Sequence, residues 1–144
     1  MAHSFRFNFG HLIFHVGSIA MRPADLVRIQ AYLRTIAAEL GVTSIVIGGM
    51  EDHVHLLGNF PVTRALCDVV KKIKAESSHW IPLLHSRYAH FSWQTGYGYF
   101  SVSASLFSKV ADYIIHQREH HAHMTAQEEY EHLVRKYSME SLGE

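Results

Sequence analysis

Hydrophobic residues recur at intervals of three and four positions in two stretches of the chain, 26–40 and 66–80. This spacing predicts two amphipathic helices. Apolar or β-branched runs, which are typical of strands, lie at 11–16, 42–47, 53–60 and 99–103. A glycine pair at the start of 48–52 predicts a turn between the second and third strands. The predicted order of elements is therefore β-α-β-β-α-β.

Two more helices are expected after the fourth strand, at about 106–121 and 125–137. Thr125 and Glu128 have the spacing of a capping box, which predicts the start of the last helix. Residues 82–98 form the longest irregular stretch and are a candidate binding loop. Together these elements predict an α+β fold, a ferredoxin-like split β-α-β sandwich with an antiparallel sheet and additional C-terminal helices.

The composition is that of one globular domain. A chain of 144 residues with 48% hydrophobic content can bury a substantial core. We expect one domain over 1–144, with a core at about 9–121 and a C-terminal helix at about 125–137. The single cysteine, Cys67, excludes a disulfide framework. Since no apolar run approaches the ~20 residues of a membrane span and no signal-peptide core is present, we expect a cytoplasmic protein without a membrane partner.

The formal net charge is zero, which is unusual for a protein that binds nucleic acid. The charges are unevenly distributed, however. Residues 62–87 carry a surplus of three positive charges, whereas residues 119–144 carry a surplus of four negative charges. Because the local field steers a phosphate backbone more than the total charge does, binding to nucleic acid stays open.

Two histidines, His53 and His55, alternate with apolar residues in the third predicted strand. Side chains alternate across a strand, so both imidazoles should lie on one face. In the helix predicted at 106–121, Tyr113 and Gln117 are four residues apart and should also share a face. Two imidazoles and an amide oxygen can hold a divalent cation, Mg²⁺ or Mn²⁺. A tyrosine beside that cation is a candidate nucleophile for a phosphodiester.

Four further segments accompany the histidine strand in a fixed order. The five segments are 48–57 (GGMEDHVHLL), 74–80 (KAESSHW), 91–98 (FSWQTGYG), 100–103 (FSVS) and 113–121 (YIIHQREHH). This ordered set resembles the single-tyrosine transposases of the IS200-like insertion sequences. Their active sites contain a histidine–hydrophobe–histidine (HUH) strand. The resemblance extends over about residues 9–135.

The resemblance implies a transposase that cuts and rejoins single-stranded DNA with hairpin ends at insertion-sequence ends. Tyr113 would form a covalent link to the 5′ phosphate, with a metal held by His53, His55 and Gln117. His120 and His121 would support the site. The resemblance also implies a homodimer in which the tyrosine helix of one subunit serves the histidines of the other.

Basic and hydroxyl side chains on the second predicted helix are candidates for phosphate contacts to the DNA hairpin. They are Lys71, Lys74, Ser77 and Ser78. One segment departs from the family pattern: His15-Val16-Gly17-Ser18 stands where a small polar residue, a threonine and a lysine are expected. A domesticated relative, or a non-catalytic nucleic-acid-binding module of the same fold, therefore remains an alternative. A second alternative is a histidine-based metallohydrolase, which would not need Tyr113.

Overall fold

The computed structural model describes residues 5–121 and 124–141. Within them the helices and strands are β1 (Phe9–His15), α1 (Leu26–Glu39), β2 (Thr43–Met50), β3 (His53–Asn59), α2 (Leu66–Trp80), β4 (Gly98–Ser101), α3 (Phe107–Ile115), α4 (Gln117–His120) and α5 (Ala126–Ser141). The predicted β-α-β-β-α-β order is confirmed. The capping box is confirmed as well: the Glu128 backbone N–H donates to Thr125 Oγ1 over 3.1 Å, and the Thr125 backbone N–H donates to the Glu128 carboxylate over 3.3 Å.

The four strands form one sheet in the order β2-β3-β1-β4, and all neighbours are antiparallel. This is the strand order of the predicted α+β fold. In β1 and β3 the register places His15 opposite His53 and Ile13 opposite His55. Because side chains alternate, one sheet face is almost wholly apolar and the other carries histidines.

Helices α1 and α2 cover the apolar face of the sheet. The apolar residues that recur at helical spacing in the sequence form the buried side of each helix. Tyr32 and Trp80 stack at 4.1 Å between ring centroids and join the two helices. The main core includes residues of β1, β3, α1 and α2, among them Leu12, Phe14, Val54, Leu56, Ile29, Leu33, Ile36, Val69 and Ile73.

Helices α3, α4 and α5 lie over the histidine-bearing face. Here the apolar contact is small and centres on Leu57, Val102 and Ile114, with Phe107 and Val110 packed against it. The apolar side of α3 thus packs on the chain's own sheet. No helix within the described ranges is long and apolar enough to span a membrane.

The glycine pair at 48–49 lies in β2 rather than in the turn predicted there. The turn is shorter and consists of Glu51 and Asp52. A Cβ atom on Gly48 would lie 2.3 Å from the carbonyl oxygen of Ile114, so only glycine allows α3 to approach the strand this closely. This close approach brings the tyrosine-bearing helix onto the sheet beside the histidines.

The helix predicted at 106–121 is interrupted at His116, which separates α3 from α4. The loop predicted at 82–98 contains two short 3₁₀ turns, Ile81–Leu83 and Ser86–Tyr88. Its last part, residues 94–97, passes beside the end of β1, where the Gln94 backbone N–H donates to the His15 carbonyl oxygen over 2.8 Å.

Candidate active site

Strand β3 positions the histidine pair as predicted, on the face opposite Val54 and Leu56. His53 and His55 are both fully buried. Their Nδ1 atoms already have partners. His53 Nδ1 lies 2.7 Å from Asp52 Oδ1, and His55 Nδ1 lies 2.7 Å from His11 Nε2. A histidine held in this way presents its other nitrogen in a fixed direction, as metal-binding histidines do.

The Nε2 atoms of both histidines point at a carboxylate that the sequence analysis did not identify. Glu129, on α5, places Oε1 2.9 Å from His55 Nε2 and 3.3 Å from His53 Nε2. One ligand atom from each of the three residues lies within 4.8 Å of the other two. Two imidazoles and a carboxylate can hold a divalent cation. A buried cluster able to bind a metal is thus present, with Glu129 as an unexpected member.

Glu129 could have been found from its position in the periodicity of α5. Ala126 and Leu133 are buried, and Glu129 lies between them at helical spacing with only 1% of its surface exposed. An acid on the buried side of a helix needs a partner, since burial of an unpaired charge is costly. The sequence could show this side of the helix but not the histidines, which are more than 70 positions away in the chain.

Tyr113 and Gln117 converge on the same cluster. The Tyr113 hydroxyl donates a hydrogen bond to Glu129 Oε2, and its ring centroid lies 6.1 Å from that of His55. Gln117 is 2% exposed, and its Oε1 lies 3.0 Å from His53 Nε2. One chain therefore brings together the four predicted residues. This arrangement differs from the expectation that the tyrosine helix of one subunit serves the histidines of the other.

The electrostatics of the cluster follow from burial and from the shared carboxylate. Burial, only partly offset by Glu129, lowers the pKa of His55 to about 4. Burial also opposes charge on His53, but hydrogen bonds to Asp52 and Glu129 outweigh it and raise the pKa of His53 to about 9. Despite burial, hydrogen bonds to the two histidines hold the pKa of Glu129 far below its usual range. Burial and the Glu129 carboxylate raise the pKa of Tyr113 well above its ordinary value.

The two histidines predicted to support the site have different outcomes. His121 Nε2 lies 3.2 Å from Glu129 Oε1, and its ring centroid is 4.6 Å from that of His53. It is thus in contact with the cluster. The side chain of His120 lies outside the described part of the structure.

Two hydroxyl residues of α2 were predicted to contact DNA. Ser77 is fully buried, and its Oγ donates to the Ile73 carbonyl oxygen over 2.6 Å and accepts from Trp93 Nε1 over 2.8 Å. This placement differs from the prediction for Ser77, because the residue faces the core and its hydrogen bonds are made within the protein. Ser78 is partly exposed and lines a cavity of about 690 Å³ between α2 and the 91–97 segment.

The two predicted lysines of α2 also differ in their environments. Lys71 is exposed on the same cavity. Lys74 is partly buried, and its Nζ donates to the carbonyl oxygens of Gln94 and Gly96 over 2.9 and 2.5 Å. It lies 5.7 Å from the centroid of the Phe14 ring. Lys74 therefore holds the 94–97 segment in place, while Lys71 faces solvent.

A family model described as "Transposase IS200 like" matches residues 18–117, which include α1, β2, β3, α2, β4 and α3. No protein of curated function matches the chain.

Two solved structures have a similar fold. A protein of Deinococcus radiodurans, described as a candidate transposase, is 21% identical with a TM-score of 0.61, over 81% of this chain and 96% of that one. A REP-associated tyrosine transposase bound to a REP hairpin is 12% identical with a TM-score of 0.56, over 79% of this chain and 70% of that one. At these identities the likeness concerns the fold alone.

Proposed function

Because the chain belongs to the IS200-like transposase family, we propose that it cuts and rejoins single-stranded DNA through Tyr113. One arrangement carries the proposal: the Tyr113 hydroxyl, His53, His55 and Glu129 meet in one buried cluster. A structural role alone would not require a tyrosine hydroxyl, a carboxylate and two imidazoles to converge at one point.

The same cluster would hold the metal. The donor set fits a divalent cation, since His53 and His55 direct Nε2 atoms, and Glu129 a carboxylate oxygen, at one point. Gln117 Oε1 is next to His53 and is a further candidate ligand. We propose Mg²⁺ or Mn²⁺, which accept oxygen ligands and leave positions for phosphate oxygens. When bound, such an ion would polarise the scissile phosphate and offset the negative charge that develops on it.

The proposed reaction is a transesterification. The Tyr113 oxygen forms a bond to phosphorus while the bond from phosphorus to the 3′ oxygen breaks. The 3′ oxygen takes up a proton from water, which leaves a 5′ phosphotyrosine and a free 3′-OH. Glu129 Oε2 accepts the hydrogen bond of the Tyr113 hydroxyl and orients it, and the proton would pass on to water because the pKa of Glu129 is low. Rejoining reverses these steps with a new 3′-OH, and the phosphotyrosine conserves the energy of the original ester.

Burial and the Glu129 carboxylate raise the pKa of Tyr113, which makes the phenol a poor nucleophile when no metal is bound. A divalent cation at the cluster would add positive charge and so favour the deprotonated phenol. The proposal therefore requires the metal for cleavage and predicts no reaction in a chelator.

Single-stranded DNA with a hairpin is the proposed substrate. One structural neighbour is a REP-associated tyrosine transposase bound to a REP hairpin. On this chain the exposed basic side chains of α2 and the segment before it, Arg64, Lys71 and Lys72, line a second cavity of about 480 Å³. Phosphate contacts of this kind position a nucleic acid without reading its sequence. A homodimer also remains a proposal, with the edge strands β2 and β4 available for pairing.

The test is incubation of the purified protein with an end-labelled DNA stem-loop and Mn²⁺, followed by denaturing electrophoresis. We expect a covalent adduct with the wild type, none with Tyr113→Phe, and DNA binding largely unchanged in that variant. Tyr32→Phe is the matched control, because Tyr32 lies on α1 at the opposite face of the sheet. This variant should form the adduct as the wild type does.

The outcomes separate the proposed function from its two alternatives. An adduct at wild-type yield in Tyr113→Phe would refute the assignment of the nucleophile. Hydrolysis of DNA without an adduct, unaffected by Tyr113→Phe, would identify a metallohydrolase. Hairpin binding without any cleavage would identify a binding module.

A further inference from the structure

A smaller cavity adjoins the candidate active site and is not used by the proposed reaction. It has a volume of about 290 Å³ and lies between the end of β1, the 94–97 segment and α5. We call it the base cavity. Its polar and aromatic lining consists of His15, Gln94, Thr95, Tyr97, Gln127 and Tyr130. Drug-sized ligands fill cavities of roughly 300–1,000 Å³, so this volume suits one planar group rather than a longer segment.

The base cavity begins one side chain away from the proposed metal. His15 pairs with His53 across β1 and β3, and their rings stack with centroids 5.7 Å apart. A phosphate held at the cluster would therefore have one of its flanking nucleotides at the mouth of the cavity. In a single strand the base of that nucleotide is unpaired and can turn into the protein.

His15 supplies the observation that points to a ligand. Its Nε2 is buried and has no hydrogen-bond partner among the described residues. Buried polar atoms nearly always have a partner, so an exception needs an explanation. A neutral imidazole has one donor and one acceptor nitrogen. A nucleobase edge carries both kinds of partner.

The walls of the base cavity are preorganised. The Tyr130 ring meets His15 edge to face at 5.8 Å, and a Cβ atom on Gly98 would lie 2.7 Å from Tyr130 Cε1. Gly98 therefore allows this tyrosine to close one wall. Lys74 holds the opposite wall through its two bonds to the carbonyl oxygens of the 94–97 segment. Tyr97 is 40% exposed at the mouth, where an aromatic ring can stack on a base.

We propose that the base cavity binds one nucleobase of the single-stranded DNA, from a nucleotide that flanks the phosphate attacked by Tyr113. His15 hydrogen-bonds to the edge of this base, and the side-chain amide of Gln127 contributes to the choice of base. The inference rests on the proposed function, because it takes the scissile phosphate to lie at the histidine cluster.

The first test measures binding without chemistry. The probes are fluorescent single strands of DNA, five nucleotides long. Every position is abasic except the central one, which carries each of the four bases in turn. An all-abasic strand serves as the reference. We expect one base to raise the affinity at least about fivefold, the lower end of what specific base contacts contribute. His15→Ala and Gln127→Ala should reduce this gain, whereas His132→Ala, at an exposed position of α5, should not. Gln127 is exposed, so its variant remains informative even if His15→Ala does not fold.

The second test locates the base relative to the chemistry. An abasic site is placed on either side of the mapped cleavage position in the stem-loop, and the initial rate of adduct formation is measured. One of the two substitutions should slow the wild type and have little effect on Gln127→Ala.

The results distinguish this inference from the proposed function. A base preference that is lost in Gln127→Ala supports the base cavity even if no adduct ever forms, in which case only the proposed function fails. Adduct formation together with equal binding of the all-abasic and single-base strands would overturn the base cavity and leave the proposed function intact.

Discussion

The carboxylate of Glu129 should control the pH dependence of stability in the metal-free protein. The perturbation is Glu129→Gln, which keeps the shape of the side chain and removes its charge. In the wild type, hydrogen bonds to Asp52 and Glu129 outweigh burial and raise the pKa of His53 from 6.5 to about 9. Because the folded protein holds this proton more tightly than the unfolded chain, the stabilisation is complete below pH 6.5. It is lost as the pH rises through 9.

The magnitude follows from the two pKa values. The change from 6.5 to about 9 corresponds to about 3 kcal/mol in the free energy of unfolding. His55, whose pKa is lowered, affects the free energy of unfolding in the opposite direction. Its contribution to stability is complete above pH 6.5 and is lost as the pH falls below that value. Between pH 6.5 and 9 the decline in stability should therefore come mainly from His53. In Glu129→Gln, one of the two principal partners loses its charge and the decline should become clearly smaller.

The assay is urea denaturation in EDTA from pH 6 to 9.5, followed by tryptophan fluorescence and analysed by linear extrapolation. Glu131→Gln is the matched control, because Glu131 is an exposed glutamate on the same helix and should preserve the wild-type profile. A wild-type free energy of unfolding that does not change between pH 6.5 and 9 would refute the reasoning. An identical decline in Glu129→Gln would show that Glu129 does not hold the proton on His53.

Three further predictions concern the metal, the packing of α3 and the assembly of the site. Calorimetry at pH 7.5 should show Mn²⁺ binding with release of about one proton, because a ligand must be deprotonated to bind a metal. His53→Ala should abolish this binding, and unchanged affinity in that variant would exclude His53 as a ligand. Gly48→Ala should cost about 1–3 kcal/mol of stability and lower the adduct yield, since the added Cβ atom would lie 2.3 Å from the Ile114 carbonyl oxygen. An unchanged melting temperature would contradict this packing. Mixing inactive Tyr113→Phe with inactive His53→Ala should not restore the adduct, because one chain holds both residues; recovered activity would mean that subunits share their sites.

The elements of this protein could be predicted from the sequence because their signals are local. Helix α2 lies at the predicted positions, and the split β-α-β order follows from alternating apolar runs and helical spacing. His53 and His55 face the same way because the two-residue repeat of a strand requires it. The order of short motifs along the chain pointed to the transposase family, and the family model agrees.

The errors concern positions whose role depends on a neighbour distant in the chain. Gly48 was assigned to a turn, since glycine pairs favour turns, yet it accommodates the backbone of α3 in a strand. Ser77 was expected at the DNA, but it is a hydrogen-bond partner of Trp93 in the core. In both cases the residue type was informative, but its partner could not be read from the sequence.

The sequence by itself determined the elements, their order and the shared face of the two histidines, because each depends on residues a few positions apart. Only the tertiary structure decided that Glu129 joins those histidines and that Tyr113 reaches them within one chain. It also decided that His15 borders a cavity beside them. These contacts arise because α3 and α5 pack on one face of the sheet, and the burial that drives this packing does not specify its partners in any local pattern.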